Sequence, residues 1–141
     1  MTPEAAADAY ISFYESLTPD SLARLDDLCA PNVRFRDPFN DVVGPAACRA
    51  VLEKMFADVT EPRFRVIDRA HSGQVCYLRW RFTFITRTAH AIDGMSEVHF
   101  DTNGKVTAHF DHWDSARVYE MVPVLGAIIR LVKRRLAVRQ D

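Results

Sequence analysis

The sequence is short of net charge, of paired cysteines and of long apolar runs. Its 141 residues sum to a formal charge of −1, so no global basic field draws nucleic acid. Its three cysteines, Cys29, Cys48 and Cys76, are too far apart for a CxxC pair or a zinc spacing. An odd cysteine count without a signal peptide points to a reducing cytoplasm, and buried filler is the expected role of all three. The opening MTPEAAADAY has neither the basic start nor the apolar run of an export signal. The longest uncharged stretch near the C-terminus, residues 121–129, is far shorter than the roughly 20 residues a membrane span needs. There is no glycine-rich nucleotide loop and no Ser-His-Asp motif context. Nothing calls for an organic cofactor, and no cofactor is expected. No repeat, low-complexity stretch or linker divides the chain, so a single domain over 1–141 is expected.

What is present is ordinary globular composition, 48% hydrophobic and 26% charged, with a change of period midway. Thr2-Pro3 reads as an N-cap followed by a proline at the first helical position. Ala6, Tyr10, Phe13, Tyr14 and Leu17 then recur at helical spacing. Pro19-Asp20 restarts a shorter helix. Residues 32–37 alternate as a strand, which Pro38 ends. Gly44-Pro45 opens a third helix. From residue 63 the period becomes 2, giving strands over 63–71, 74–87, 93–101 and 105–114, with turns at Ser72-Gly73 and Thr102-Asn103-Gly104. Ser115 is the expected cap of a closing helix, which Pro123 and Gly126 should break in two. Helices, an early strand, an antiparallel meander and a final helix make an α+β pattern, a curved sheet wrapped around helices.

Two acids stand out. Asp37 shares a strand face with Val33 and Phe35, while Asn32, Arg34 and Arg36 point away. A carboxylate on an apolar face is costly unless paired or neutral, and such groups make general bases or acids. The stretch Asp37-Pro38-Phe39-Asn40 reads equally well as a turn whose Asp side chain accepts backbone N–H groups. In HFDHWD, residues 109–114, alternation puts His109, Asp111 and Trp113 on one face. If Trp113 faces the interior, the acid and the imidazole do too, close enough to share a proton or a water. A buried polar network that only holds the strand is the alternative. A metal would need a third and usually a fourth ligand, and none is expected.

Helices followed by VRFRDPFNDVVGPAACRAVLEKMF, then a meander ending in HFDHWDSARVYEMVPVLGAIIRLVKRRL, resemble the nuclear transport factor 2-like superfamily. The nearest likeness is to its SnoaL-like, polyketide cyclase-like branch, which also includes the ketosteroid isomerases. The resemblance spans nearly the whole chain and implies a cone-shaped roll: N-terminal helices on a curved, mostly antiparallel sheet, with the C-terminal helix over it. Asp37, in RDP, matches the isomerases' catalytic base. Their oxyanion tyrosine falls on Phe13 and their oxyanion acid on Ser96, so steroid isomerisation itself is not expected. In the cyclase branch an Asp and a His beside the cavity do the acid–base work, and His109 and Asp111 lie in the corresponding strand. The implied pocket is apolar, lined by Tyr14, Phe35, Phe56, Leu78, Trp80, Phe82, Ser96, Val98, Phe100 and Trp113.

Residues 116–138 read as a basic amphipathic extension. Leu125, Ile128, Ile129, Val132 and Leu136 lie on one side, with Arg130, Lys133, Arg134 and Arg135 around them. A lid over the cavity or packing against the sheet is favoured over a membrane-surface contact. The expected function is binding of a small apolar molecule, with isomerase- or cyclase-type acid–base chemistry on a carbonyl, polyketide-like or steroid-like substrate. The alternatives are a non-catalytic binder and an interaction or membrane-surface module acting through the C-terminal helix. No nucleic acid partner is expected, and the resemblance implies a homodimer through the outer sheet face.

Overall fold

Thr2 accepts the Ala5 N–H on its Oγ1 at 3.1 Å and starts helix α1, Pro3–Glu15, as the N-cap pattern predicts. The computed structural model describes residues 1–139. Ala6, Ala7, Tyr10 and Phe13 of α1 are buried. A short 3-10 turn, Asp20–Arg24, runs into α2, Leu25–Leu28, and seals this end with Leu22 and Leu25. Strand β1 is Cys29–Arg36, β2 Asp41–Val43 and helix α3 Pro45–Asp58. Strands β3 (Thr60–Ser72), β4 (Val75–Ile85), β5 (Ala89–Phe100) and β6 (Val106–Trp113) form the expected meander. Helices α4 (Ala116–Tyr119) and α5 (Pro123–Leu136) follow.

The six strands form one sheet in the order β2-β1-β6-β5-β4-β3. All neighbours are antiparallel except β1 and β6, which run parallel. This is the α+β roll with a curved, unclosed sheet. Its concave face carries the core: Leu78, Trp80, Val98, Phe100 and Val106, with α1 and α3 packed across them. Cys29, Cys48 and Cys76 are free and buried, as expected of filler thiols. Burial pushes Cys29 up to about 12 and Cys48 up to about 11, so neither forms a nucleophilic thiolate near neutral pH.

The C-terminal region departs from expectation. Asp114 Oδ1, not Ser115, accepts the Ala116 N–H, at 3.0 Å. The closing helix is in two pieces that meet before Pro123, as expected, but α5 is continuous through Gly126. Pro123 begins α5, where its missing N–H is not needed.

Gly94 shapes the middle of the sheet. It pairs with Trp80 on β4 and with Trp113 on β6. A Cβ at Gly94 would lie 2.5 Å from Trp80 Cη2 and Cζ2 and 3.1 Å from Trp113 Cβ. The absent side chain lets the Trp80 indole lie flat over β5 and present Nε1 to Ser96. Gly94→Ala should push the indole aside and destabilise the fold by about 2 kcal/mol, the usual cost of overpacking a core. Thermal unfolding and Trp fluorescence check this: an unchanged midpoint with an unchanged emission maximum would show that the indole does not need the space.

Candidate functional site

Strands β4, β5 and β6 bring Trp80, Ser96 and Asp111 side by side. Ser96 is the direct cross-strand partner of Asp111, and Trp80 lies on the diagonal, within reach of a long side chain. Trp80 Nε1 donates to Ser96 Oγ at 2.8 Å, and Ser96 Oγ donates in turn to Asp111 Oδ1. Two residues back on β6, His109 Nε2 lies 2.6 Å from the same Oδ1. Its other nitrogen, Nδ1, lies 2.7 Å from the Tyr10 hydroxyl on α1. The result is a continuous chain, Tyr10–His109–Asp111–Ser96–Trp80, running from the helical layer through the sheet.

The partners fix the roles within that chain. Burial pushes the Tyr10 phenol well above the ordinary tyrosine range, with neighbouring Tyr14 adding to it. Tyr10 therefore keeps its proton and can donate it to Nδ1. Nε2 faces a carboxylate oxygen and carries the imidazole hydrogen. Both nitrogens of His109 are then engaged. Asp111 differs: Oδ1 takes both donors, and among the described residues no protein donor reaches Oδ2.

Asp111 and His109 edge a cavity of about 50 Å³, lined also by Ile11, Tyr14, Phe35, Phe64, Val66, Leu78, Trp80 and Ser96. Asp111 is the one acidic residue in this lining, and no Lys or Arg takes part. Tyr14 lines the same space, with its hydroxyl in hydrogen-bond reach of the Tyr10 hydroxyl. Burial first, and the Asp111 carboxylate second, raise the Tyr14 phenol well above the ordinary tyrosine range. The wall therefore offers the free oxygen of Asp111 and the phenol of Tyr14; Ser96 and His109 are engaged with their own partners, and the rest of the surface is apolar and aromatic.

The predicted residues divide. His109 and Asp111 come together at the cavity, and Tyr14, Phe35, Leu78, Trp80 and Ser96 line it. Asp37 does not. Its Oδ1 accepts the N–H groups of Phe39 (2.8 Å) and Asn40 (2.7 Å), and both its oxygens lie 3.1 Å from Asn40 Nδ2. The carboxylate is occupied in closing the turn after β1. Phe82 gives up its place to Phe64, against which it stacks with ring centroids 4.4 Å apart. Trp113 packs edge-on against Phe39. Val98 and Phe100 lie deeper in the core, Phe100 against Tyr10. Phe56 packs on the core from α3. Phe13 is fully buried and does not reach the cavity. Ile11, Phe64 and Val66 were not anticipated. Ile11 stands three residues before Tyr14, the spacing of one helix face, and Phe64 and Val66 alternate inward on β3.

Comparison with known proteins agrees with this architecture. Residues 10–109 match the family model described as a SnoaL-like domain. No curated protein matches the chain by sequence. Among solved structures, an NTF2-like protein of unknown function from Burkholderia pseudomallei superposes with a TM-score of 0.74 at 17% identity, covering 86% of this chain and 98% of its own. A candidate SnoaL-like polyketide cyclase from Shewanella putrefaciens gives 0.71 at 16% identity, covering 86% and 96%. A protein with a ketosteroid isomerase-like fold from Catenulispora acidiphila, in complex with trimethylamine, gives 0.70 at 14% identity, covering 84% and 92%. These likenesses establish the fold, and the family model spans the helix that carries Tyr10 through the strand that carries His109: the chain belongs to the SnoaL-like domain family.

Proposed function

We propose that this domain moves a proton beside the carbonyl of a small, uncharged, largely apolar substrate, with Asp111 as the base. One observation carries this reading: Asp111 faces an apolar cavity with Oδ1 held by His109 and Ser96 and Oδ2 left without a protein donor. In the proposed step Oδ2 takes the proton from the carbon next to the carbonyl. The C–H electron pair moves into the carbonyl, and the oxygen gains negative charge. The neutral Tyr14 phenol supplies a hydrogen bond to that oxygen, an interaction that strengthens as charge develops. Asp111 then returns the proton to the same or a conjugated carbon. His109, with both nitrogens engaged, is a positioning residue. The apolar walls exclude water and strengthen each polar contact.

The size of the cavity bears on the substrate. A water needs roughly 10–15 Å³ of such free space, so a free volume of about 50 Å³ admits a molecule of a few heavy atoms and suits a small carbonyl compound. A steroid- or polyketide-sized substrate requires the wall at Tyr14 and Phe64 to open. The absence of Lys and Arg from the lining disfavours anionic substrates.

A second, non-catalytic reading rests on the same wall. One carboxylate set among Tyr14, Phe35, Phe64 and Trp80 is also a suitable box for a small alkylammonium ion, held by charge and by aromatic faces. The Catenulispora relative was solved with trimethylamine.

The two readings part in one experiment, exchange of carbonyl-adjacent protons for deuterium across a panel of small ketones, followed by NMR. The catalytic reading expects Asp111→Asn to slow exchange by about 10²–10⁴-fold, the usual contribution of a positioned base, with Asp37→Asn folded and active. Equal rates in wild type and Asp111→Asn would remove Asp111 as the base. Thermal stabilisation by trimethylammonium that disappears in Asp111→Asn, with no exchange on any ketone, would support the binder.

The buried phenols set a pH dependence. Tyr10 and Tyr14 have folded-state pKa values raised above the ordinary 10. Their contribution to stability is therefore whole below about pH 10 and is lost as pH rises further, because the unfolded chain gives up these protons first. In an alkaline titration, their tyrosinate absorbance should appear together with loss of secondary structure. Ionisation of both while the fold persists would contradict the burial that keeps Tyr14 a donor.

A further inference from the structure

Helix α5 meets the rest of the chain through its polar side. Lys133 Nζ lies 2.5 Å from Glu120 Oε1 and 3.6 Å from Asp114 Oδ2. Arg130 donates to the Glu120 carbonyl at 3.3 Å. Gly126 approaches the same segment so closely that a Cβ there would lie 2.2 Å from the Glu120 carbonyl oxygen. At 3.6 residues per turn, Gly126, Arg130 and Lys133 share one side of the helix. Val124, Leu125, Ile128, Leu131, Val132 and Leu136 fall in an arc of about 140° on the other side, joined near the helix end by Arg135, whose long stem can carry its charge out to the polar boundary. An amphipathic helix on a globular protein normally turns its stripe to the core. Here Val124 is 75% exposed, Ile128 52% and Leu136 81%. No residue of α4 or α5 is among those lining the cavity, so this is not the lid that the sequence suggested.

Charge indicates what covers the stripe. Between Pro123 and Leu136 there are four basic residues, Arg130, Lys133, Arg134 and Arg135, and no acidic one, in a chain whose net charge is −1. Lys133 is the one base of this helix in an ion pair among the described residues. Two copies of such a helix laid face to face would bring like charges together. An anionic surface with an apolar interior satisfies both halves of the helix at once. Fourteen residues reach roughly 21 Å, and no helix among the described residues is long and apolar enough to cross a membrane. A helix of this kind lies in the plane of the interface.

We propose that α5 is a reversible anchor, which lays its Val124–Ile128–Val132 stripe into the surface of an anionic lipid membrane with Arg134 and Arg135 at the headgroups. This is independent of the chemistry at Asp111. The test is co-sedimentation of the whole protein with vesicles of phosphatidylcholine alone and of equimolar phosphatidylcholine and phosphatidylserine. Binding is expected on the anionic vesicles only, and salt should release it as the screening length falls from about 10 Å at 0.1 M to about 3 Å at 1 M. Ile128→Asp, at an exposed position that leaves the fold intact by circular dichroism, should abolish binding. The double variant Arg134→Ala/Arg135→Ala should weaken it about 25-fold, roughly five-fold per basic residue. Failure of the wild type to sediment, equal binding to neutral vesicles, or unchanged binding by Ile128→Asp would each overturn the proposal. So would a solution dimer that Ile128→Asp splits, because the stripe would then belong to a second copy of the chain.

Discussion

The Asp111 carboxylate sits against apolar walls, and the arrangement around it follows from the need to give it donors. An unpartnered charge in that position would be costly. Here one oxygen receives two hydrogen bonds, from residues on two adjacent strands. Each donor is itself held: Ser96 by the Trp80 indole, His109 by the Tyr10 phenol. The indole reaches Ser96 because the intervening residue on β5 is a glycine. The sheet register, the bare backbone at Gly94 and the docking of α1 thus act together on one carboxyl group. That group is left rigid on one oxygen and unclaimed on the other, which is what a proton acceptor requires.

Much of this was legible in the residues. The period change after α3, the NG-type turn before β6 and the N-cap at Thr2 carried the element order. The alternation in HFDHWD was enough to pair His109 with Asp111. Strand β2 escaped notice because three residues do not display a period. The parallel contact of β1 with β6 was invisible because it joins residues far apart in sequence. Asp37 shows the limit of face assignment. Alternation turned it inward with Val33 and Phe35, but Pro38 ends the strand at that point, and local N–H groups capture the side chain. The aromatic lining was half legible for a related reason. A strand's inward face is readable, but its depth along a curved sheet is not, so Val98 and Phe100 could not be told apart from Trp80.

The C-terminal segment marks a different boundary. Its basic amphipathic pattern was plain, but a pattern does not say which face turns inward. That depended chiefly on Glu120, which holds Lys133 with its side chain, beside Asp114, and receives Arg130 and Gly126 at its backbone.

The bond between Tyr10 and His109 joins positions 99 residues apart, one near the start of the chain and one in its last strand. Sheet order adds to this, since β6 is central and follows the other five strands of the sheet in sequence. A chain emerging from the ribosome can form α1, α3 and the first hairpin of the meander, but not the Tyr10–His109–Asp111 network. That network needs contacts between residues far apart in sequence, a kind that generally forms late because long loops must close first. Partly folded chains therefore expose the apolar cleft without its carboxylate network, and proteolytic loss of the first helix would undo the site while leaving most of the sheet paired.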